Sequence, residues 1–328
     1  MVPLLEVERL DVKFHTRRGT ATVLNEVCLS LDKGETLGLV GESGCGKSMT
    51  ALAIMRLIPC PPGKICGGEV RLEGENLVAA SEARMRRVRG NAVSMIFQEP
   101  MTSLNPVFRV GEQIEESLQL HKGLRGRHAR ERAIAMLKAV GIPAPERRVD
   151  HYPHQLSGGM RQRVMIAMAL ACQPTVLIAD EPTTALDVTV QAQIFDLLRD
   201  LQAKHGTAII LITHDMATIA EMTDRVAVMY GGHVVEQGAT GDILDHPAHP
   251  YTRGLIACLP RVDGTPEERR EPLTEIPGVV PSIWQLQTGC PFMQRCPSAM
   301  PHCASDMPPA FPIAAGHWAA CWLHDATK

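Results

Sequence analysis

Eight residues, Gly41-Glu-Ser-Gly-Cys-Gly-Lys47-Ser48, fit the spacing G-x-x-x-x-G-K-[S/T], the pattern of a phosphate-cradling loop. Glycines let the backbone wrap so that successive N–H groups point inward at phosphate oxygens. A helix beginning near Lys47 adds the positive end of its dipole. Lys47 is then positioned to reach the β- and γ-phosphates of a nucleotide, and the Ser48 hydroxyl to ligate Mg²⁺. The flanks separate this from a chance glycine-rich turn: the apolar LGLV precedes the loop and the helical MTALAIMRLI follows it. A second set of reactive groups closes the apolar run Val176-Leu-Ile-Ala-Asp180-Glu181. An apolar strand ending in two acids is commonplace by itself. Downstream of a phosphate loop it acquires roles, with Asp180 holding Mg²⁺ through water and Glu181 polarising the attacking water as general base.

A third segment, Leu156-Ser157-Gly158-Gly159-Met160-Arg161-Gln162-Arg163, has the make-up of a second anion-binding helix terminus. Ser157 stands where an N-cap belongs, two glycines permit close approach to the backbone, and a helical stretch follows. Taken alone, it is equally an ordinary capped helix. Gln98 follows the strand-like AVSMIF, and His214 follows AIILIT. A single glutamine or histidine at a strand end is usually a solvated polar residue. Phe14 is either a core side chain or an aromatic for stacking on a purine, a contact worth about 1 kcal/mol.

Positioning these groups requires an α/β core around a mainly parallel sheet. The predicted strands are Thr36–Val40, Ala92–Phe97, Thr175–Ala179, Ala208–Thr213 and Val226–Tyr230. Between about 100 and 172 the strand signal gives way to helical patterns at Gly111–His121, Ala129–Val140 and Gly158–Cys172, which read as an inserted α-helical subdomain. From Pro260 onward the texture changes, with 11 of the 24 prolines in the last 69 residues, so a loop-rich C-terminal appendage without long helices or a regular sheet is expected. The expected division is 1–259 and 260–328.

Composition narrows the function classes. The 328 residues are 45% hydrophobic and 21% charged, an ordinary globular balance. A formal net charge of −3 provides no global basic field for nucleic acid. The longest apolar run, Val164–Cys172, has nine residues, far below the roughly 18–20 of a membrane-spanning helix. Glu6 and Glu8 occupy the region where a signal peptide would carry Lys or Arg, so no export signal is expected. Any tie to a membrane must then run through a partner.

With these motifs in this order, the chain resembles the nucleotide-binding domain of ABC ATPases over residues 1 to about 260. The family fold is a P-loop, RecA-like α/β core with an antiparallel β portion and an inserted α-helical subdomain. Leu156–Met160 resembles the family signature LSGGQ, with Met160 in place of Gln, as is usual in its peptide-importer branch. Gln98 matches the Q-loop glutamine, Ala185-Leu186-Asp187 the D-loop that crosses the dimer interface, and His214 the switch histidine that contacts the γ-phosphate. The resemblance implies ATP held by Phe14 and by Gly41, Glu42, Ser43, Gly44, Cys45, Gly46, Lys47, Ser48 and Met49. It implies Mg²⁺ on Ser48, Gln98 and Asp180. It also implies that Ser157, Gly158, Gly159 and Asp187 contact ATP on a second ATPase subunit, giving a head-to-tail sandwich of two nucleotides.

Four stretches narrow the resemblance to dipeptide, oligopeptide and nickel importers, and most to the dipeptide subunit: Gln98–Pro106, His151–Gln155, Asp180–Gln193 and His249–Leu255. In that family two ATPases, often non-identical, sit under two transmembrane permeases on the cytoplasmic face of the cell membrane, and an extracytoplasmic binding protein delivers cargo. Dipeptides lead as cargo, ahead of longer peptides, nickel, glutathione or haem. A soluble ABC ATPase acting on nucleic acid or ribosomes fits less well. Lys47 and Ser157 are only 110 residues apart, leaving no room for long coiled-coil arms, and the nucleotide motifs occur once.

Ten cysteines in a chain without an export signal suggest reduced thiols or metal ligands. Cys45 lies inside the phosphate loop, where an exposed reactive thiol is expected. Cys290, Cys296, Cys303 and Cys321 form C-x5-C-x6-C-x17-C in the appendage, and four thiolates around one metal centre could cross-link such a tail. Structural zinc prefers closely paired cysteines, a [4Fe–4S] cluster tolerates looser spacing, and free thiols are the plain alternative. The resemblance to dipeptide-importer ATPases, which carry an iron–sulfur cluster in this region, favours [4Fe–4S].

Overall fold

The computed structural model describes residues 2–99, 103–184, 186–258, 275–284 and 288–325. The expected boundary at 259/260 and Ala185 of the D-loop stretch lie outside the described residues. The strands, in chain order, are β1 (Leu5–Thr16), β2 (Gly19–Leu31), β3 (Thr36–Val40), β4 (Gly63–Leu72), β5 (Glu75–Asn76) and β6 (Val93–Ile96). They continue as β7 (Val176–Asp180), β8 (Ala208–Ile212), β9 (Arg225–Tyr230), β10 (His233–Ala239), β11 (Phe311–Ala314) and β12 (His317–Ala319). The helices used below are α1 (Lys47–Ile54), α2 (Glu82–Val88), α3 (Val110–Lys122), α4 (Gly126–Ala139) and α5 (Gly158–Leu170). They continue as α6 (Val188–His205), α7 (Met216–Met222) and α8 (Pro250–Ala257).

Two compact units interleave along the sequence. One comprises Met1–Leu5, Leu31–Thr36 and Arg71–Ile212; the other comprises Glu6–Ser30, Leu37–Val70 and Thr213–Lys328. In the first, β6, β7 and β8 run parallel, with Val93 opposite Val176 and Asp180 opposite Ile212. Every residue of β6, β7 and β8 is buried, which is why they read as continuous apolar runs rather than alternating ones. α3, α4 and α5 pack on one another. The four-residue spacing of Val110, Ile114 and Leu118, and of Ala129, Ala133 and Leu137, gives α3 and α4 one buried stripe each.

In the second unit β3 pairs parallel with β9, and β9 turns back onto β10 through Gly231 and Gly232, at φ 54° and 82°. Left-handed residues at both turn positions give the hairpin a twist matching its strands. β1 lies between β2 and β4 in a separate sheet. The tail departs from the expectation of no regular sheet: β12 pairs antiparallel with β10, and β11 with β12. Pro312 is tolerated because β11 is an edge strand, where a missing N–H costs no ladder bond. Among the described residues, no helix is long and apolar enough to cross a membrane.

Candidate functional site

In the second unit, β3 delivers the chain into the loop at Gly41. Gly41, Gly44 and Gly46 take φ 147°, 82° and 111°, conformations that side chains with a Cβ rarely adopt. A Cβ on Gly41 would collide with the Met229 carbonyl oxygen, so the loop is pressed against β9. Gly46 caps α1, and Lys47 folds back into the loop: its Nζ donates to the Gly41 carbonyl at 2.7 Å and to the Glu42 carbonyl at 3.0 Å. The ammonium is thus held where a polyphosphate would lie against the loop. Ser43 and Gly44 are exposed at the loop tip, and Ser48 and Met49 are half-buried. Cys45 is fully buried, and burial pushes its thiol up, so the expected exposed reactive thiol is corrected to an inert packing residue.

Phe14, on β1 in the same unit, is half-buried, with its ring edge beside Gly63. His214 is exposed just before α7. Its neighbour Asp215 caps that helix, with Oδ1 accepting from the Ala217 N–H at 3.0 Å.

The first unit carries the acids. Asp180 ends β7 and is 3% exposed. Glu181 takes φ 47°, a left-handed backbone for a residue with a Cβ, at a cost of about 1–3 kcal/mol. Its N–H donates to Ile212 O at 2.9 Å, and the Thr184 hydroxyl donates to its Oε2 at 3.1 Å. Strain concentrated on one carboxylate is a functional signal that residue spacing did not reveal. Gln98 is exposed, beyond the end of β6.

At the start of α5, Ser157 is the N-cap and its Oγ accepts from the Met160 N–H at 3.4 Å. Ser157 and Gly158 are both exposed, and a Cβ on Gly158 would meet nothing within 4 Å. This helix terminus is therefore uncovered by the chain that builds it. Asp187 caps α6 through Oδ1, which accepts from the Val190 N–H at 3.0 Å.

The iron–sulfur expectation requires correction. Cys290, Cys296, Cys303 and Cys321 do line one cavity, together with His249 and Phe292. Among the described residues, however, no group of three or more His, Cys, Asp or Glu is arranged to hold a metal ion, and neither a [4Fe–4S] cluster nor zinc is supported. Burial drives the Cys290 thiol up to about 12 and raises Cys296 and Cys321, which opposes the thiolate form that metal ligation needs. The tail is held by other means. Phe292 is 1% exposed and joins Tyr230 and Tyr251 with ring centroids 5.1 and 5.3 Å away. β12 adds ladder hydrogen bonds, and its His317 Nε2 lies 2.8 Å from the buried Glu236 Oε1. Burial lowers His249 to about 3, so it stays neutral; its Nδ1 accepts from the Tyr251 N–H at 3.0 Å as the cap of α8.

Sequence reasoning also missed Arg295. Its guanidinium forms a two-pronged ion pair with Glu42 of the phosphate loop, at 2.6 and 3.0 Å. The two residues are 253 positions apart, and neither sits in a pattern that points to the other.

Residues 24–184 match the family model described as ABC transporter, and residues 235–303 match the one described as oligopeptide/dipeptide transporter, C-terminal region. A probable peptide ABC transporter ATP-binding protein of Sinorhizobium fredii is 52% identical, over 97% of this chain and 94% of its own length. The oligopeptide transport ATP-binding protein OppD of Bacillus subtilis is 51% identical, over 98% of this chain and 88% of its own length. The dipeptide transport ATP-binding protein DppD of the same organism is 47% identical over 99% and 96%. Among solved structures, a dimeric ATP-binding cassette in a post-hydrolysis state with ADP and Pi aligns at a TM-score of 0.66 and 28% identity. That alignment covers 72% of this chain and 98% of the cassette.

Proposed function

From the premise that this chain belongs to the ATP-binding subunits of ABC transporters, in their peptide-importer branch, we propose that it hydrolyses ATP to drive uptake of di- or oligopeptides. One observation carries the reading. The chain has a closed phosphate loop of its own and, at Ser157 and Gly158, a second anion-binding helix terminus that its own fold leaves open. A terminus of that kind is useful when a second subunit brings the phosphate to it.

The residues then divide the work. Gly41 to Met49 form the ATP-binding loop, with Lys47 reaching the phosphates, and Phe14 stacks on adenine. Ser157, Gly158, Gly159 and Asp187 address the ATP of a second ATPase subunit. Ser48, Gln98 and Asp180 are hard oxygen donors of the kind Mg²⁺ prefers, and when bound the ion neutralises charge on the phosphates. Glu181 accepts a proton from the attacking water as its oxygen bonds to the γ-phosphorus. The bond from that phosphorus to the β–γ bridging oxygen breaks so that ADP and phosphate are released, and His214 contacts the γ-phosphate. Residues 1–259 form the nucleotide-binding domain, with the helical part at about 100–172 facing permease loops, and 260–328 form the extension. The partners are a second ATPase subunit, two permeases and an extracytoplasmic binding protein, with the chain on the cytoplasmic face of the membrane.

The test is reconstitution with the permeases and binding protein in vesicles. Peptide should accumulate only with ATP, and Glu181→Gln should bind ATP but accumulate none. Uptake that proceeds without ATP, or that survives Glu181→Gln, would overturn the proposal.

A further inference from the structure

Glu42 is gripped at all three of its polar groups. Its N–H donates to the Tyr251 hydroxyl at 2.7 Å, its carbonyl accepts from Lys47 Nζ at 3.0 Å, and its carboxylate takes the Arg295 fork. Two of these three grips come from the C-terminal part of the chain. Arg295 ends a short 3₁₀ turn, Met293–Arg295, and its side chain is 4% exposed. It donates to Pro277 O at 2.9 Å, Ile276 O at 3.2 Å and the Tyr230 hydroxyl at 3.3 Å, in addition to both Glu42 oxygens. All the N–H groups of the guanidinium are thereby used, which fixes its plane and aims the fork at the phosphate loop.

The carboxylate being held is in an awkward place. Glu42 adjoins Gly41, where the loop begins, so an unpaired charge there would repel a polyphosphate anion. The wall behind the ion pair is apolar: Tyr230, Tyr251 and Phe292 pack edge to face, with the Arg295 guanidinium carbon 5.8 Å from the Tyr230 ring centre. The Arg295 side chain is 4% exposed and the Glu42 side chain 28%, so water screens the carboxylate only in part.

We propose that Arg295 is a positioning residue of the nucleotide site: it neutralises and fixes the Glu42 carboxylate, and through the Glu42 carbonyl it holds Lys47 in the loop. The extension is then a working part of the ATP site rather than a passive tail. This rests on the nucleotide-binding reading above. A merely structural ion pair would fail differently, because its loss would lower stability without a specific effect of the Glu42 charge on nucleotide affinity.

The experiment measures affinity of the full-length chain for a fluorescent ATP analogue with Mg²⁺, alongside thermal melts, and KM and kcat for ATP in the assembled complex. Arg295→Met should weaken binding by about tenfold, because a half-buried carboxylate is left unpaired beside the phosphate loop. Adding Glu42→Gln to that variant should restore affinity to within about threefold of wild type, because the repelling charge is gone. The rise should fall on KM more than on kcat. Arg295→Lys, which keeps the charge but loses the fork, should weaken binding by roughly threefold and be relieved in the same way, and it serves where Arg295→Met does not fold. Unchanged affinity in the arginine variants, or a loss that Glu42→Gln does not relieve, would overturn the proposal. Failure of the wild-type chain to bind ATP would instead sink the nucleotide-binding reading.

Discussion

Two helix N-termini in this chain are built where glycine adjoins a polar residue, Gly46-Lys47 at α1 and Ser157-Gly158 at α5, yet their surroundings are opposite. At α1, a Cβ on Gly41 would strike β9, Lys47 is hydrogen-bonded inward, and Glu42 is tied to Tyr251 and Arg295. At α5, Ser157 and Gly158 are exposed and a Cβ on Gly158 would touch nothing. The first terminus is finished by its own chain. The second is capped but uncovered, as a surface that receives its ligand from outside must be. Similar local chemistry therefore sits in two settings, and what distinguishes them is how much of the surrounding space the fold fills.

The largest expected effect tests whether both termini meet one nucleotide. Glu181→Gln should lower turnover in the assembled complex by about 10²–10⁴-fold while ATP-dependent dimers persist on size-exclusion chromatography. Adding Gly158→Asp should dissolve those dimers, because a carboxylate at the open terminus repels the incoming phosphate. Dimers that survive the second change would separate α5 from the nucleotide.

A pair of glycine substitutions sharpens the contrast in stability. Gly41→Ala forces a Cβ into β9 at a positive φ and should cost about 1–3 kcal/mol in denaturant melts. Gly158→Ala has open space and should stay within about 0.5 kcal/mol of wild type. Equal losses would erase the distinction between closed and open.

Acid should loosen the closed terminus selectively. His249 caps α8, whose Tyr251 holds the Glu42 N–H. Burial lowers His249 from 6.5 to about 3, with the neighbouring charges of His324 and Arg253 acting in the same direction. The unfolded chain therefore binds the proton first as pH falls. Stability is full above about 6.5 and declines toward 3, with about 2 kcal/mol lost by pH 5. His249→Asn keeps a capping acceptor and should flatten that acid limb in pH-dependent melts. An unchanged slope would remove His249 as its cause.

The smallest effect belongs to the open terminus. Ser157→Ala deletes a long 3.4 Å cap and should cost about 0.5 kcal/mol, at the low end for N-caps. A cost of several kcal/mol would mean that the terminus is more tightly built than its exposure indicates.

The buried parallel strands were the most legible elements. Thr36–Val40 coincides with β3, and Val93–Ile96, Val176–Asp180, Ala208–Ile212 and Arg225–Tyr230 match their predicted runs to within a residue or so at each end. Burial on both faces writes such strands as unbroken apolar text. β1, β2 and β4 were not among the predicted strands, because half of their residues face outward and the charges of Leu5–Thr16 interrupt any apolar run. α3, α4 and α5 announced themselves through their spacing. The cysteine pattern misled: four cysteines suggested a metal cross-link, whereas aromatic packing, a strand ladder and the Arg295 ion pair hold the tail.

The sequence by itself determined the local chemistry: which loop can wrap a phosphate, which acids end a strand, and which helix starts with Ser157 and two glycines. These follow from steric freedom and hydrogen-bonding capacity within a few residues of one another. Only the tertiary structure decided that Cys45 is buried, that Glu181 is strained, that Gly158 is open, and that Arg295 reaches Glu42 from 253 positions away. The reason is physical. Burial, strain and long-range ion pairing depend on what packs against a residue, and that is set by the fold of the whole chain rather than by neighbours in sequence.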